Sequence, residues 1–188
     1  MQTLPSDSNY SALLGFGGGP SIDESVLSER YYDLSRRLHP DRFQTGTAEE
    51  QRASLQATAL LNAAFKTLRD VEARGRWWLE CEGESLGRDN SQVPPSLAGL
   101  VFEVQERIEE ISHATGEARA KMMEQLEETK LQLDERRNEK RTVVAKLLGD
   151  WPESGPRAAS SREELKQDLS ELSYLRTLAR DVGRALED

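Results

Sequence analysis

The chain has 188 residues, of which 36% are hydrophobic and 31% charged, a balance that favours helices with narrow apolar stripes over a thick sheet sandwich. With 25 Lys and Arg against 34 Asp and Glu the net charge is −9, which excludes general nucleic-acid binding as a first reading, because that needs a cationic surface to displace counterions. The single cysteine, Cys81, excludes a disulfide framework and a zinc site built from several cysteines.

No apolar run could span a bilayer, and the N-terminal Met1-Gln2-Thr3-Leu4-Pro5 lacks the basic and apolar regions of a signal peptide. The expected setting is the cytoplasm, with no membrane partner. Helical periodicity runs throughout and no segment alternates with period two, so the expected fold class is all-α.

Seven helices are predicted in chain order. The first covers Ser8–Leu14 and precedes the breaker Gly15 to Pro20. The second covers Asp23–Leu38, with capping-box spacing from Ser21 to Glu24 and an apolar stripe Leu27, Tyr31, Leu34, Leu38. The third, Ala48–Arg69, opens with Thr47 and Glu50 three residues on; its stripe is Ala57, Leu61, Ala64, Leu68 with Phe65 beside it. The fourth, Glu72–Glu82, carries Trp77 and Trp78, expected in the core, and Cys81, expected as a packed thiol.

Gly83 to Pro95, rich in Gly, Ser, Asn and Pro, reads as a linker. The fifth helix, Ser96–Ser112, has a heptad-like seam of Leu97, Val101, Val104, Ile108 and Ile111. The sixth, Glu117–Leu148, carries Met122, Leu126, Leu133, Val144 and Leu147, and its stripe breaks near Arg137 and Lys140, so a weak or exposed middle is expected. Gly149 reads as its C′ residue. The seventh, Ser161–Leu186, carries Leu165, Leu169, Leu172, Leu175, Ala179, Val182 and Leu186. Three consecutive amphipathic helices make a three-helix bundle. The expected domains are 1–84, a linker at 85–95, and a bundle at 96–188. Residues 1–69 carry a net charge of −1 and the remainder −8, so a partner of the bundle should be electropositive or insensitive to charge.

The sharpest local feature is His39-Pro40-Asp41 between the second and third helices. Pro40 cannot continue a helix and drives His39 out of the α region, so the tripeptide is a stiff loop at a hairpin tip. Arg30 and Arg37 share a face of the helix before it, Arg36 adjoins them, and Arg42 adds a charge just beyond the loop. Other constellations are weaker. His39 and His113 lie far apart and with one cysteine make no metal set, so no metal and no cofactor are expected. Gly15–Gly19 follows a helix rather than a strand and lacks the Lys-Ser/Thr of a phosphate cradle. The pairs Glu109-Glu110 and Glu127-Glu128 fit a solvated helix face, and no paired-carboxylate active site is present.

An HPD loop joining two antiparallel helices, the first basic, resembles the J domain of DnaJ-type co-chaperones. Asn9-Tyr10-Ser11-Ala12-Leu13-Leu14-Gly15, His39-Pro40-Asp41-Arg42-Phe43 and Leu61-Asn62-Ala63-Ala64-Phe65-Lys66-Thr67-Leu68-Arg69 are similar to such domains. Arg74-Gly75-Arg76-Trp77-Trp78-Leu79, a linker, an acidic helix and Leu172-Ser173-Tyr174-Leu175-Arg176-Thr177-Leu178 resemble the HscB (Jac-type) branch. The resemblance covers residues 9–186. It implies a J domain followed by a client-binding three-helix bundle, and a protein that is not an enzyme. Such a protein delivers an iron–sulfur cluster scaffold (IscU-like) to an HscA/DnaK-class chaperone ATPase and stimulates that ATPase through the HPD loop.

By this resemblance His39, Pro40 and Asp41 contact the ATPase, with Arg30, Arg36, Arg37 and Arg42 supplying charge. Arg42 stands where lysine is common and keeps the charge, while Ala98-Gly99 occupies the place of a larger apolar pair near the start of the first bundle helix. A tetracysteine module and a targeting peptide, frequent in eukaryotic relatives, are not seen, which points to a bacterial type.

Two aromatics fall off the packing stripes. Phe102 points away from the Leu97/Val104 seam among Glu103 and Glu106, and Tyr174 lies opposite the Leu165/Leu172 stripe with Leu178 one turn on. The resemblance places the client surface on these two helices, so Leu97, Phe102, Glu103, Glu106, Glu110, Tyr174 and Leu178 are the expected client-binding residues. Two alternatives remain: a J-domain co-chaperone with a different client, and a helical structural or assembly module in which HPD is incidental.

Overall fold

The computed structural model of the chain describes residues 10–17, 19–86, 93–152 and 155–187. Ser8 and Asn9 of the expected first helix, Gly18 of the glycine loop, and 87–92 of the expected linker lie outside the described residues. Among the described residues there are seven α-helices, two 3-10 turns and no strand, so the all-α expectation holds. The helices are α1 (Tyr10–Leu13), α2 (Glu24–Leu38), α3 (Ala48–Arg69), α4 (Val71–Cys81), α5 (Ala98–His113), α6 (Gly116–Gly149) and α7 (Pro156–Glu187). The 3-10 turns are Pro40–Phe43 and Pro95–Leu97. The chain divides into two compact units, Met1–Ser85 with Leu147–Ala158, and Leu86–Lys146 with Ala159–Asp188.

In the first unit α2 and α3 form the hairpin. Its core is Leu14, Leu27, Leu61, Ala64, Leu68 and Trp77, with Tyr31, Leu34 and Phe65 packed on it. Tyr31 stacks on Phe65 with ring centroids 4.0 Å apart, and its hydroxyl bonds Asn62 Oδ1 at 3.0 Å. Tyr10 stacks on Trp77, and Trp78 meets Trp151 edge-on at 5.9 Å. Helix α3 begins with the expected capping box: Glu50 N–H donates to Thr47 Oγ1 at 3.2 Å and Thr47 N–H donates to Glu50 Oε2 at 2.7 Å.

Helix α2 is capped differently from the expectation. Asp23, not Ser21, is the N-cap, and its Oδ1 accepts from the N–H groups of Ser25 and Val26. Those bonds, with one from the Ser25 hydroxyl, hold the Asp23 carboxyl below its usual range. A cap two residues nearer the helix offers the shorter reach, which the Ser21–Glu24 spacing does not reveal. Cys81 is exposed rather than packed, because α4 ends on it.

In the second unit Leu97, Val101, Val104 and Ile111 meet Leu126 and Leu133 of α6 and Leu175, Leu178 and Val182 of α7. Helix α7 starts at Pro156, five residues before the expected Ser161; proline at a helix start forfeits no intrahelical bond, so the break at Pro156 is a beginning rather than a continued loop. Between Leu133 and Val144 no residue of α6 is buried, as the break in its stripe predicts, yet ion pairs tie this stretch to α7. Lys140 Nζ lies 2.8 Å from Asp168 Oδ1 and 2.9 Å from Glu171 Oε2, both on buried stretches of α7. Glu171 Oε1 also accepts from Ser96 Oγ at 2.5 Å. Burial alone would lower the Lys140 ammonium and raise the Glu171 carboxyl. The hydrogen bonds to Asp168 and Glu171 outweigh it at Lys140, and those from Lys140 and Ser96 outweigh it at Glu171, so Lys140 is held above and Glu171 below their usual ranges.

Candidate functional site: an HPD turn on a braced hairpin

Pro40 enforces the geometry of the hairpin tip. The preceding His39 takes φ −57° and ψ 131°, outside the α region, and α2 stops at Leu38. The chain then turns through the 3-10 segment Pro40–Phe43, with Pro40 at its start where a missing N–H costs nothing. His39 caps this turn: its Nδ1 accepts from the Asp41 N–H at 3.3 Å and lies 3.4 Å from Asp41 Oδ2. Arg42 N–H closes the turn on His39 C=O at 3.0 Å. Asp41 Oδ1 accepts from Gln44 Nε2 at 3.3 Å. The His39 and Asp41 side chains remain exposed.

Helix α3 braces the tip from behind. Leu38 C=O, which α2 cannot satisfy at its end, accepts from Ser54 Oγ at 2.6 Å and from Thr58 Oγ1 at 3.1 Å. Gln51 Nε2 donates to the carbonyls of Gln44 and Gly46, each at 3.1 Å. The result is a turn whose backbone is anchored and whose His39, Asp41 and Arg42 side chains are exposed. Sequence reasoning missed Gln51, Ser54 and Thr58. Their one signal was Ser54 falling on the inward face of α3, three and seven residues before Ala57 and Leu61.

The expected basic residues separate into two groups. Arg36 and Arg37 are exposed and reach Asp33 at 4.0 and 3.4 Å, and Arg42 is exposed. Exposed contacts of this kind are weak and leave the cations available. Arg30 does not belong with them. It is half-buried, its Nη1 donates to Leu14 C=O at 3.0 Å, and its guanidinium lies 4.6 Å over the Phe16 ring. It clamps the turn after α1, where Gly15 has φ +77° and a Cβ would meet Arg30 Nη1 at 3.0 Å. The helical wheel puts Arg30 with Arg37, but the α1 turn folds over it.

On the second unit the expected client residues also separate. Phe102 is 68% exposed, with Glu103, Glu106 and Glu110 exposed on the same helix, and Glu103 pairs with Arg107 at 2.7 Å. Leu97 and Leu178 are instead core residues, and Tyr174 is half-buried against that core. The reason is that α7 is contacted over an arc wider than one stripe: Asp168, Leu169, Glu171, Leu172, Leu175 and Leu178 are all buried. Among the described residues no group of His, Cys, Asp and Glu could hold a metal ion, and no helix is long and apolar enough to cross a membrane.

A helical hairpin with an outward HPD turn, followed by a second unit of three long helices, defines a J-type architecture. No protein-family model matches the chain. It is 34% identical over 108 residues to a co-chaperone protein HscB homolog of a Shewanella species; the match covers 57% of this chain and spans 62% of that relative's length. In fold it is similar to the chaperone HscB from Vibrio cholerae, with a TM-score of 0.67 and 23% identity over 94% of this chain and 96% of that one. It is also similar to human co-chaperone protein HscB, with a TM-score of 0.66 and 21% identity over 97% and 84%. The chain is therefore HscB-like in sequence and in fold.

Proposed function

We propose that this protein is a J-domain co-chaperone without catalysis of its own, acting as an adaptor between an HscA/DnaK-class ATPase and an IscU-like iron–sulfur scaffold protein. The observation that carries the reading is the HPD turn itself: a backbone anchored by α3, with His39 and Asp41 presented to solvent and Arg36, Arg37 and Arg42 around them. An anchored turn loses little entropy on docking. Asp41 accepts a charge-assisted hydrogen bond from a partner cation, and the three arginines face an acidic partner surface. The likeness to HscB proteins supports the partners named.

The client surface in this reading centres on Phe102. An exposed aromatic flanked by carboxylates supplies desolvation energy at its centre and orientation at its rim. Glu103, Glu106 and Glu110 form that rim, and the half-buried Tyr174 contributes its exposed edge.

The test adds the full chain to a purified HscA-class ATPase and follows steady-state hydrolysis. Wild type stimulates turnover, and stimulation weakens as salt screens the arginines. Asp41→Asn and His39→Gln abolish stimulation with the thermal midpoint unchanged, because both side chains are exposed. Stimulation by Asp41→Asn at the wild-type level overturns the assignment.

A further inference from the structure

We infer that the ATPase-facing surface of the hairpin is anchored by two exposed apolar side chains, Tyr32 and Leu55, so that docking there is hydrophobic as well as electrostatic. This rests on the reading of the HPD turn as an ATPase contact and adds residues that the resemblance did not name. Three large hydrophobic residues of the first unit are exposed among the described residues: Leu13, Tyr32 and Leu55. Leu55 lines a pocket with Pro40 and Asp41 of the HPD turn, and Tyr32 lies two helical turns before it on α2.

Tyr32 is 63% exposed and sits on α2. It precedes Arg36 by four residues and His39 by seven, so the three share one side of the helix as it runs into the turn. Its ring is held in place: it meets Tyr31 edge-on at 5.4 Å, and Tyr31 is fixed by its stack on Phe65 and its bond to Asn62. An aromatic already oriented loses little rotamer freedom on binding, which is what a contact anchor needs.

Leu55 is 58% exposed on α3. It lines a shallow pocket with Pro40, Asp41, Gln44 and Gln51. The pocket joins a carboxylate and two amides to two apolar walls. That chemistry fits a long side chain with a charged head and an aliphatic stem, or a small apolar side chain beside such a group. Leu55 therefore borders the Asp41 carboxylate and excludes water from whatever binds it, strengthening a charge-assisted bond there. The occupant of this surface is the acidic, apolar-patched face of the ATPase partner, for which the exposed Arg36, Arg37 and Arg42 supply the complementary charge.

The experiment measures how much full-length protein gives half-maximal stimulation of a purified HscA-class ATPase, for wild type, Tyr32→Ser, Tyr32→Phe, Leu55→Gln and Asp41→Asn, at low and high salt. Tyr32→Ser and Leu55→Gln each raise that concentration about tenfold, the loss typical of a truncated interface anchor. Their thermal midpoints and helical circular-dichroism signals stay at the wild-type level, and Tyr32→Phe behaves as wild type. At high salt, wild type keeps residual stimulation that both variants lose. If Tyr32→Ser and Leu55→Gln match wild type while Asp41→Asn is dead, the apolar anchors are refuted and the HPD assignment stands. If wild type itself gives no stimulation, the ATPase reading fails and this inference falls with it.

Discussion

The two units of this molecule solve opposite problems with the same secondary structure. In the first, aromatic stacking and helix caps hold a hairpin whose tip carries no buried side chain, and the tip is shaped by side chains bonding to backbone: Ser54 and Thr58 on Leu38 C=O, and Gln51 on two loop carbonyls. In the second, three helices close over Leu, Val and Ile, and the half-buried Lys140, which interrupts the α6 stripe, pairs with the buried Asp168 and Glu171. The first unit presents exposed His39 and Asp41 side chains on an anchored turn. The second presents one aromatic, Phe102, on an otherwise solvated helix face. Variants of the first unit should therefore affect binding by changing loop geometry, and variants of the second should separate cleanly into stability and recognition.

The largest effect on stability tests the ion pairs between α6 and α7. Lys140→Met leaves Asp168 and Glu171 buried together without their cation and should cost about 3–5 kcal/mol in the unfolding of the second unit, measured by urea denaturation. ATPase stimulation by the hairpin should survive in conditions where the protein stays folded; a loss below about 1 kcal/mol would show the cluster to be solvated.

Recognition and stability should part company at the next two positions. Phe102→Ala should lower affinity for an IscU-like scaffold by about 2 kcal/mol, read by calorimetry, with no shift in the unfolding midpoint. Tyr174→Ala should do the reverse in part, lowering stability by about 1–3 kcal/mol because its ring packs on the core, and this would distinguish the half-buried ring from a free surface residue. Equal stability losses at both positions would erase the distinction between them.

A smaller effect tests the brace on the first unit. Ser54→Ala removes one of two donors to Leu38 C=O and should cost about 1 kcal/mol, visible in denaturant unfolding together with faster amide exchange in the Pro40–Phe43 turn. Unchanged exchange there would mean that Pro40 alone fixes the turn.

The cluster also sets a pH dependence. The Glu171 carboxyl is held below its usual range by Lys140 and Ser96, so it binds protons less readily folded than unfolded. Its contribution is complete above the unfolded value, about 4.3, and is lost as pH falls through the lower folded value. Lys140, held above its usual range, contributes fully below about 10.4 and loses that contribution as pH rises through its folded value. A Glu171→Gln variant should show a shallower decline in unfolding midpoint below about pH 5.

Periodicity and local chemistry were enough to determine the all-α class, the span of α3 with its Thr47/Glu50 box, and the stiff turn at His39-Pro40-Asp41. Each depends on residues within one or two turns of each other: apolar spacing, a side chain bonding the nearest N–H, a proline restricting its neighbour. What only the tertiary structure decided involves residues far apart in the chain. Arg30 shares a helix face with the exposed Arg37, but the turn after α1 supplies the Leu14 carbonyl and the Phe16 ring that cover it. Leu178 and Tyr174 looked off-stripe, but two neighbouring helices bury a wider arc of α7 than a single seam would. Lys140 looked like an interruption, but its two carboxylates come from a helix twenty-eight and thirty-one residues on. A helical wheel describes one helix in isolation. Whether a polar or apolar group on it meets water depends on which other helix crosses that face, and no local pattern encodes that crossing.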